Sequence, residues 1–123
     1  GDPERTGIDM YLGVGGAREG VIAAAAMKCI GGQMQGRLLP DGAGQGRGAE
    51  PAAKKVLSIA DMVRGDVLFA ATGVTDGAIL SGVEFRRDSI VTDTIVLRSS
   101  SRTMREIRAR HTDLTKFGMR TAP

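Results

Sequence analysis

Tryptophan is absent from this chain of 123 residues, and one tyrosine and three phenylalanines bring the aromatic share to only 3%. A platform that stacks the bases of single-stranded nucleic acid needs exposed rings, so their scarcity argues against that function and leaves the core to aliphatic side chains. A single cysteine rules out an intramolecular disulfide. Cys29 stands between Lys28 and Ile30 in an apolar stretch, where an inert core thiol is the expected role. The one histidine, His111, has no serine, cysteine or carboxylate at a spacing that suggests a triad, and reads as a surface or partly packed imidazole. No apolar run approaches the ~18 residues of a membrane span, and no basic leader with an apolar core opens the chain. A cytoplasmic setting without a membrane partner is the default expectation. The first residue is Gly1 and not methionine, which suggests processing or truncation.

What the chain has in abundance is glycine, 18 residues of it, and a net charge of +3 whose excess gathers in the last quarter. One domain with a modest core fits this length. Four of the glycines fall in Gly13-Val14-Gly15-Gly16-Ala17-Arg18-Glu19-Gly20. Before this turn Ile8, Met10, Leu12 and Val14 alternate with Asp9, Tyr11 and Gly13, the period of a strand. After it, residues 21–30 are almost entirely apolar except for Lys28 and include four successive alanines, the best intrinsic helix formers. The turn therefore sets the first N–H groups of a helix, and the positive end of its dipole, at the end of a strand, a corner that attracts anions.

Two nucleotide motifs fail at that corner. A dinucleotide fingerprint counted from Gly13 requires glycine where Arg18 stands, and a P-loop counted from Gly15 requires lysine and then serine or threonine where Val21 and Ile22 stand. Glu19 then has two readings. It complements the dipole, which is worth about 0.3–1 kcal/mol, or it ligates a hard divalent cation beside a phosphate held on the backbone of Gly15 and Gly16.

The helix is expected over residues 17–30, with Gly31-Gly32 as its stop. Residues 34–39 read as a second strand, parallel to the first through a right-handed crossover. Residues 40–51 read as a mobile surface loop. In residues 52–63, Val56, Ile59, Ala60 and Val63 have the spacing of one buried helical face. Ser58 offers a break there, because Asp61 three residues on would complete a capping box for a short helix over residues 59–64. Residues 67–71 suit a strand buried on both faces. That places Asp76 just past the strand's C-terminal end, where open α/β sheets bind ligands; Asp76 is a further site candidate, although an Asp-Gly pair is more often simply a turn. Residues 83–86, 89–99 and 103–111 form an antiparallel meander with turns at Arg87-Asp88 and Ser100-Ser101. Residues 112–123 read as a poorly ordered tail. The arginines from Arg98 to Arg110 alternate with other residues, Glu106 among them, and have no aromatic partners, which favours a solvated face or subunit contact over nucleic acid. The fold expected is α/β, a mostly parallel sheet with flanking helices extended by an antiparallel C-terminal meander.

Gly7-Ile8-Asp9, the glycine turn with Glu19, Gly20 and Val21, and the stretch from Ala23 through Lys28-Cys29-Ile30-Gly31-Gly32-Gln33-Met34-Gln35-Gly36 to Leu38 resemble the C-terminal half of the class II fructose-1,6-bisphosphatases. Phe69-Ala70-Ala71-Thr72-Gly73-Val74-Thr75-Asp76-Gly77, Arg98-Ser99 and residues 105–111 agree with the same family. The resemblance implies that residues 1–111 are a sugar-phosphatase-like C-terminal domain. It also implies hydrolysis of the 1-phosphate of fructose 1,6-bisphosphate to fructose 6-phosphate and phosphate in gluconeogenesis, a Mn²⁺ or Mg²⁺ cofactor, and a homo-oligomer. The family's glutamate matching Glu19 is a metal ligand, and the glycine matching Gly16 contacts substrate; no other catalytic residue carries over.

Where the family usually has proline this chain has Arg18, which adds a phosphate-pairing cation while opposing the dipole. The family's Asp-Pro-x-Glu-Gly-Thr and Asp-Gly-Asp motifs do not occur: Asp2-Pro3-Glu4-Arg5 shares only Asp-Pro, while Asp41-Gly42-Ala43 and Asp76-Gly77-Ala78 lack the final aspartate. The family's N-terminal half supplies those motifs and is the implied partner, so the chain alone is expected to show no turnover. The alternative is a non-catalytic phosphate-binding or oligomerisation module.

Overall fold

The computed structural model describes residues 10–39 and 55–118, and the alanine-rich run is helical over Ala17–Ile30 (α1). Gly16 is its N-cap in extended backbone, and Gly31 ends it in the left-handed region at φ 74°, where a side chain would be strained. Glu19 in the first turn and Lys28 in the last both suit the dipole. The helix buries Ala24 and Cys29 and leaves Val21, Ile22 and Ile30 exposed.

Two short strands follow, β1 (Gln35–Gly36) and β2 (Leu57–Ser58), then a one-turn helix α2 (Ile59–Met62). Strand β3 (Leu68–Thr72) precedes a loop, β4 (Glu84–Phe85), the long β5 (Ile90–Arg98) and β6 (Thr103–His111), and a 3₁₀ turn covers Thr115–Phe117. Strands β3 and β4 each pair with β5, as does β6. Gly73 N–H donates to Asp93 O at 3.0 Å and Ser99 N–H to Val67 O at 2.9 Å, so rising numbers on β3 meet falling numbers on β5. The two are antiparallel. Strand β4 is antiparallel to β5 as well, with Glu84 opposite Val91 and Phe85 opposite Ile90. The expected meander and its two turns are therefore present.

The described residues fall into two units, one of residues 10–39, 55–69 and 97–103 and the other of residues 70–96 and 104–118. In the first, α1 is tied to the segment before β3. Lys28 Nζ donates to the carbonyls of Val63 at 3.1 Å and Gly65 at 2.6 Å, and the Cys29 thiol faces Val67 O at 3.8 Å. Asp66 then gathers the β5–β6 turn: its carboxylate accepts from the Ser99 hydroxyl at 2.7 Å, Ser100 N–H at 3.0 Å and the Arg98 guanidinium at 3.1 Å. In the second unit the apolar contacts centre on Ile90, Val91 and Ile95 of β5, all buried together with Ser89.

The parallel pairing expected between residues 8–14 and 34–39 is not found. Residues 8–9 lie outside the described residues; residues 10–14 form no strand, and Met10, Tyr11, Leu12 and Val14 are 75–86% exposed. Alternation supplies a face but no partner ladder, and without one a strand does not persist. Of residues 34–39 only Gln35 and Gly36 are extended, and they pair antiparallel with Ser58 and Leu57. What stands of the expected class is a small α/β arrangement with antiparallel sheets.

The helix expected over residues 52–63 is shorter, with residues 52–54 outside the described set. The capping box wins at Ser58: its hydroxyl accepts from Asp61 N–H at 3.3 Å, and the Asp61 carboxylate accepts from Ser58 N–H at 2.9 Å. Strand β3 is not buried on both faces either, because exposed and half-buried residues alternate along it and Leu68 is 70% exposed. One wetted face is a property of antiparallel sheets. The loop expected at residues 40–51 lies outside the described residues. So does the end of the expected tail, residues 119–123, while Phe117 packs edge-on to His111 at 5.4 Å between ring centroids.

Candidate functional site

Four of the five sequence-derived site residues meet at the N-terminus of α1. Gly16 takes the cap position at φ −65° and ψ 149°, and Gly20 N–H closes the first turn on Gly16 O at 3.0 Å. The N–H groups of Ala17, Arg18 and Glu19 belong to the first turn, where the helix offers no internal acceptor. Gly15 is open, since a Cβ built there would meet nothing within 4 Å. Arg18 is exposed at the second helical position.

Glu19 occupies the third helical position, from which a glutamate reaches back toward its cap. Its carboxylate lies so close over Gly16 that a Cβ there would overlap Oε2, with Glu19 Cδ 3.0 Å away. Yet no side-chain hydrogen bond caps the helix. Glu19 is exposed and belongs to none of the ion pairs found among the described residues. The corner thus presents exposed amide donors and a carboxylate with no cationic partner among those residues, side by side on bare glycine backbone. Such a surface can hold an anion on its N–H groups and a cation on its carboxylate.

A complete divalent metal centre needs more than this. Mg²⁺ and Mn²⁺ favour octahedral oxygen coordination, and no group of three or more histidine, cysteine, aspartate or glutamate side chains converges among the described residues. Glu19 offers one carboxylate to such an ion, and the described residues supply no further ligands around it.

Asp76 belongs to the other unit and there closes its own loop. Its Oδ1 accepts from Gly82 N–H at 2.8 Å, while Gly77 N–H donates to Leu80 O at 2.9 Å and Val83 N–H to Val74 O at 3.2 Å. Its observed part is the turn role. His111 is half-buried and also engaged: Lys116 Nζ donates to Nδ1 at 2.9 Å, which leaves Nε2–H to face Thr92 Oγ1 at 3.0 Å. No triad forms around it among the described residues.

Two acids that the sequence did not single out organise the arginines. Asp66 holds Arg98, and hydrogen bonds from Ser99, Ser100 and Arg98 keep its carboxyl well below the usual carboxylate range. Glu84 receives Arg86 Nε at 2.8 Å and Arg108 Nη2 at 3.2 Å, and the Arg86 hydrogen bonds, followed by the charges of Arg86 and Arg108, depress its carboxyl too. The period-two spacing of Arg108 and Arg110 was the available signal that they share a face.

Comparison with known proteins places this geometry in context. The family profile described as bacterial fructose-1,6-bisphosphatase, glpX-encoded, matches residues 2–111. The class 2 fructose-1,6-bisphosphatase of Haemophilus influenzae is 36% identical over 121 residues, covering 85% of this chain and 36% of that protein. Fructose-1,6-bisphosphatase 1 class 2 of Escherichia coli strain K12 is similar to the same degree and over the same shares. The chain spans about a third of the length of the curated relatives it matches.

Proposed function

The chain belongs to the bacterial fructose-1,6-bisphosphatase family, and from that premise we propose that it is the C-terminal part of a metal-dependent phosphatase that converts fructose 1,6-bisphosphate to fructose 6-phosphate and phosphate in gluconeogenesis. The observation that carries this reading is the pairing at the start of α1: a Glu19 carboxylate free of cationic partners among the described residues, laid over Gly16. Glu19 supplies one ligand to Mn²⁺ or Mg²⁺. The remaining ligands and the sugar contacts come from the family's N-terminal half, with which this chain forms the sugar-phosphatase-like fold, and the assembled protein is a homo-oligomer.

A bound divalent ion supplies Lewis-acid polarisation of the phosphate and an acidified water. This chain's own groups do the positioning. Gly16, lacking a Cβ, lets the substrate approach the backbone, and the first-turn N–H groups, with the open backbone at Gly15, face phosphate oxygens. Arg18 adds a cation on the same rim and opposes the dipole, so it favours phosphate at some expense to the helix. By itself the chain does not turn substrate over.

The test uses the polypeptide at the relatives' full length. Glu19→Gln keeps the size and removes the charge, and it abolishes Mn²⁺-dependent phosphate release from fructose 1,6-bisphosphate while the circular dichroism spectrum stays that of the parent. Gly16→Ala, which forces the Glu19 carboxylate aside, raises the Mn²⁺ concentration needed for half-maximal rate. Hydrolysis at the parent rate by the Glu19→Gln protein overturns the reading.

A further inference from the structure

The sheet unit carries a second group of convergent charges, built by strand register and unrelated to the helix corner. Side chains two apart on a strand share a face, so Arg108 and Arg110 of β6 lie together, as do Val91 and Asp93 of β5. Glu84 joins that face because it stands opposite Val91. Its two carboxylate oxygens take Arg86 Nε at 2.8 Å and Nη2 at 2.9 Å, and Oε2 also takes Arg108 Nη2 at 3.2 Å. One carboxylate thus tethers two guanidiniums. Arg110 enters none of the ion pairs found among the described residues.

These three arginines and Val91 line an open cleft of about 190 Å³. That is several times the ~30 Å³ share of one water, enough for a tetrahedral oxyanion. Asp93 adds a second carboxylate, its Oδ1 3.9 Å from Arg108 Nε, and three guanidiniums against two carboxylates leave the cleft positive. An adjoining cleft of about 260 Å³ shares Val91 and Arg108 with it, but its other walls are Asp76, Ser81, Asp93 and Glu84 with their neighbouring backbone. Carboxylates and a serine there accept from hydroxyl donors and repel a second anion.

We propose that the paired clefts are a binding site for a soluble phosphate monoester of a polyhydroxylated chain, its phosphate on Arg86, Arg108 and Arg110 and its hydroxyls toward Asp93 and Asp76. Guanidinium forks match phosphate oxygens bidentately, and a monoester dianion presents three such oxygens. The site shares no residue with the helix corner and needs no metal. It does not depend on the phosphatase reading.

The test is titration calorimetry of the chain in the presence of a metal chelator, with inorganic phosphate, glycerol 1-phosphate and dimethyl phosphate as probes. Glycerol 1-phosphate binds more tightly than inorganic phosphate, and dimethyl phosphate, a monoanionic diester, binds most weakly. Arg110→Gln, which breaks no ion pair seen among the described residues, weakens glycerol 1-phosphate about tenfold or more, as loss of a charge-assisted hydrogen bond requires. Asp93→Asn reduces the advantage of glycerol 1-phosphate over phosphate and leaves phosphate itself bound. Arg64→Gln, the same loss of charge at an exposed arginine that lines neither cleft, changes none of these affinities. Unchanged binding by the Arg110→Gln chain overturns the proposal, as does an equal loss in Arg64→Gln, which would make the binding a response to net charge alone. Equal affinity for the diester, or no saturable binding of any probe, overturns it as well.

Discussion

Gly73 is the position where a single methyl group should do the most damage. It is buried, and its N–H is held by Asp93 O at 3.0 Å, which fixes it to β5 from one side. A Cβ built on it would overlap the carbonyl oxygen of Ser81 and stand 3.0 Å from Ser81 C and 3.1 Å from Leu80 Cβ. The obstruction is chiefly backbone, which has no rotamer to escape into. Gly82, at the other end of the same loop, is confined in the same way, with Asp76 N and Thr75 C and Cα each 2.9 Å from its added Cβ.

The φ of Gly73 lies outside the left-handed region. Restriction of the unfolded chain alone would therefore make alanine stabilising there by about 0.4–1 kcal/mol. Overpacking a tight site costs about 1–3 kcal/mol, and a carbonyl pinned by its own loop bonds puts Gly73 in the upper part of that range. The net expectation for Gly73→Ala is a loss of about 2 kcal/mol. With a urea dependence of about 1–3 kcal/mol per molar, the unfolding midpoint followed by circular dichroism falls by roughly 1 M. Gly15→Ala serves as the control, because nothing lies within 4 Å of its added Cβ, and its midpoint stays or rises. A Gly73→Ala chain that unfolds at or above the parent midpoint refutes the account of the loop.

Two further outcomes follow from the first unit. Asp66 is depressed from the ordinary aspartate value of 3.8, by hydrogen bonds from Ser99 and Ser100 and then from Arg98. A group depressed on folding contributes stability above its unfolded value and loses it as pH falls. The midpoint difference between the parent and Asp66→Asn is therefore full at neutral pH and shrinks progressively below about pH 4; a difference independent of pH contradicts the assignment. Lys28→Met keeps the apolar stem and removes the donor to the Val63 and Gly65 carbonyls. Charge-assisted bonds contribute about 1.5–3 kcal/mol, and partial solvation of the freed carbonyls reduces the loss to about 1–2 kcal/mol in urea unfolding. A change within the ~0.5 kcal/mol typical of bland surface substitutions would mean that these bonds do not hold α1 in place.

Local signals in the sequence survived and long-range ones did not. Helix α1 was legible to its ends because alanine propensity, a flanking glycine at each side and the dipole charges Glu19 and Lys28 act within one element. The capping box at Ser58 and Asp61 was legible for the same reason, and it cut short a helix whose apolar spacing promised more. The meander came through because its turns lie between adjacent strands. Met10, Leu12 and Val14 kept their alternation but gained no strand, since a ladder needs a second backbone that no periodicity in this stretch can specify. Leu68 looked buried because an apolar run reports hydrophobicity and is silent on which face of the sheet is covered.

The helix corner was legible on the same grounds, since Gly16 and Glu19 lie within one turn, whereas Arg108 and Arg98 are 24 and 32 residues from Glu84 and Asp66, the acids that hold them. The structure adds a constraint that the spacing did not carry. The room left by the missing Cβ at Gly16 is taken first by the carboxylate of Glu19. Any residue with a Cβ at position 16 must turn Glu19 away before it can obstruct a ligand. The two positions therefore act as one coupled device, and their substitutions should not add in the way that separated sites do. A loss of activity on changing Gly16 accordingly reports on the placement of the Glu19 carboxylate as much as on contact with a sugar phosphate, and the metal dependence of the remaining rate is what separates the two.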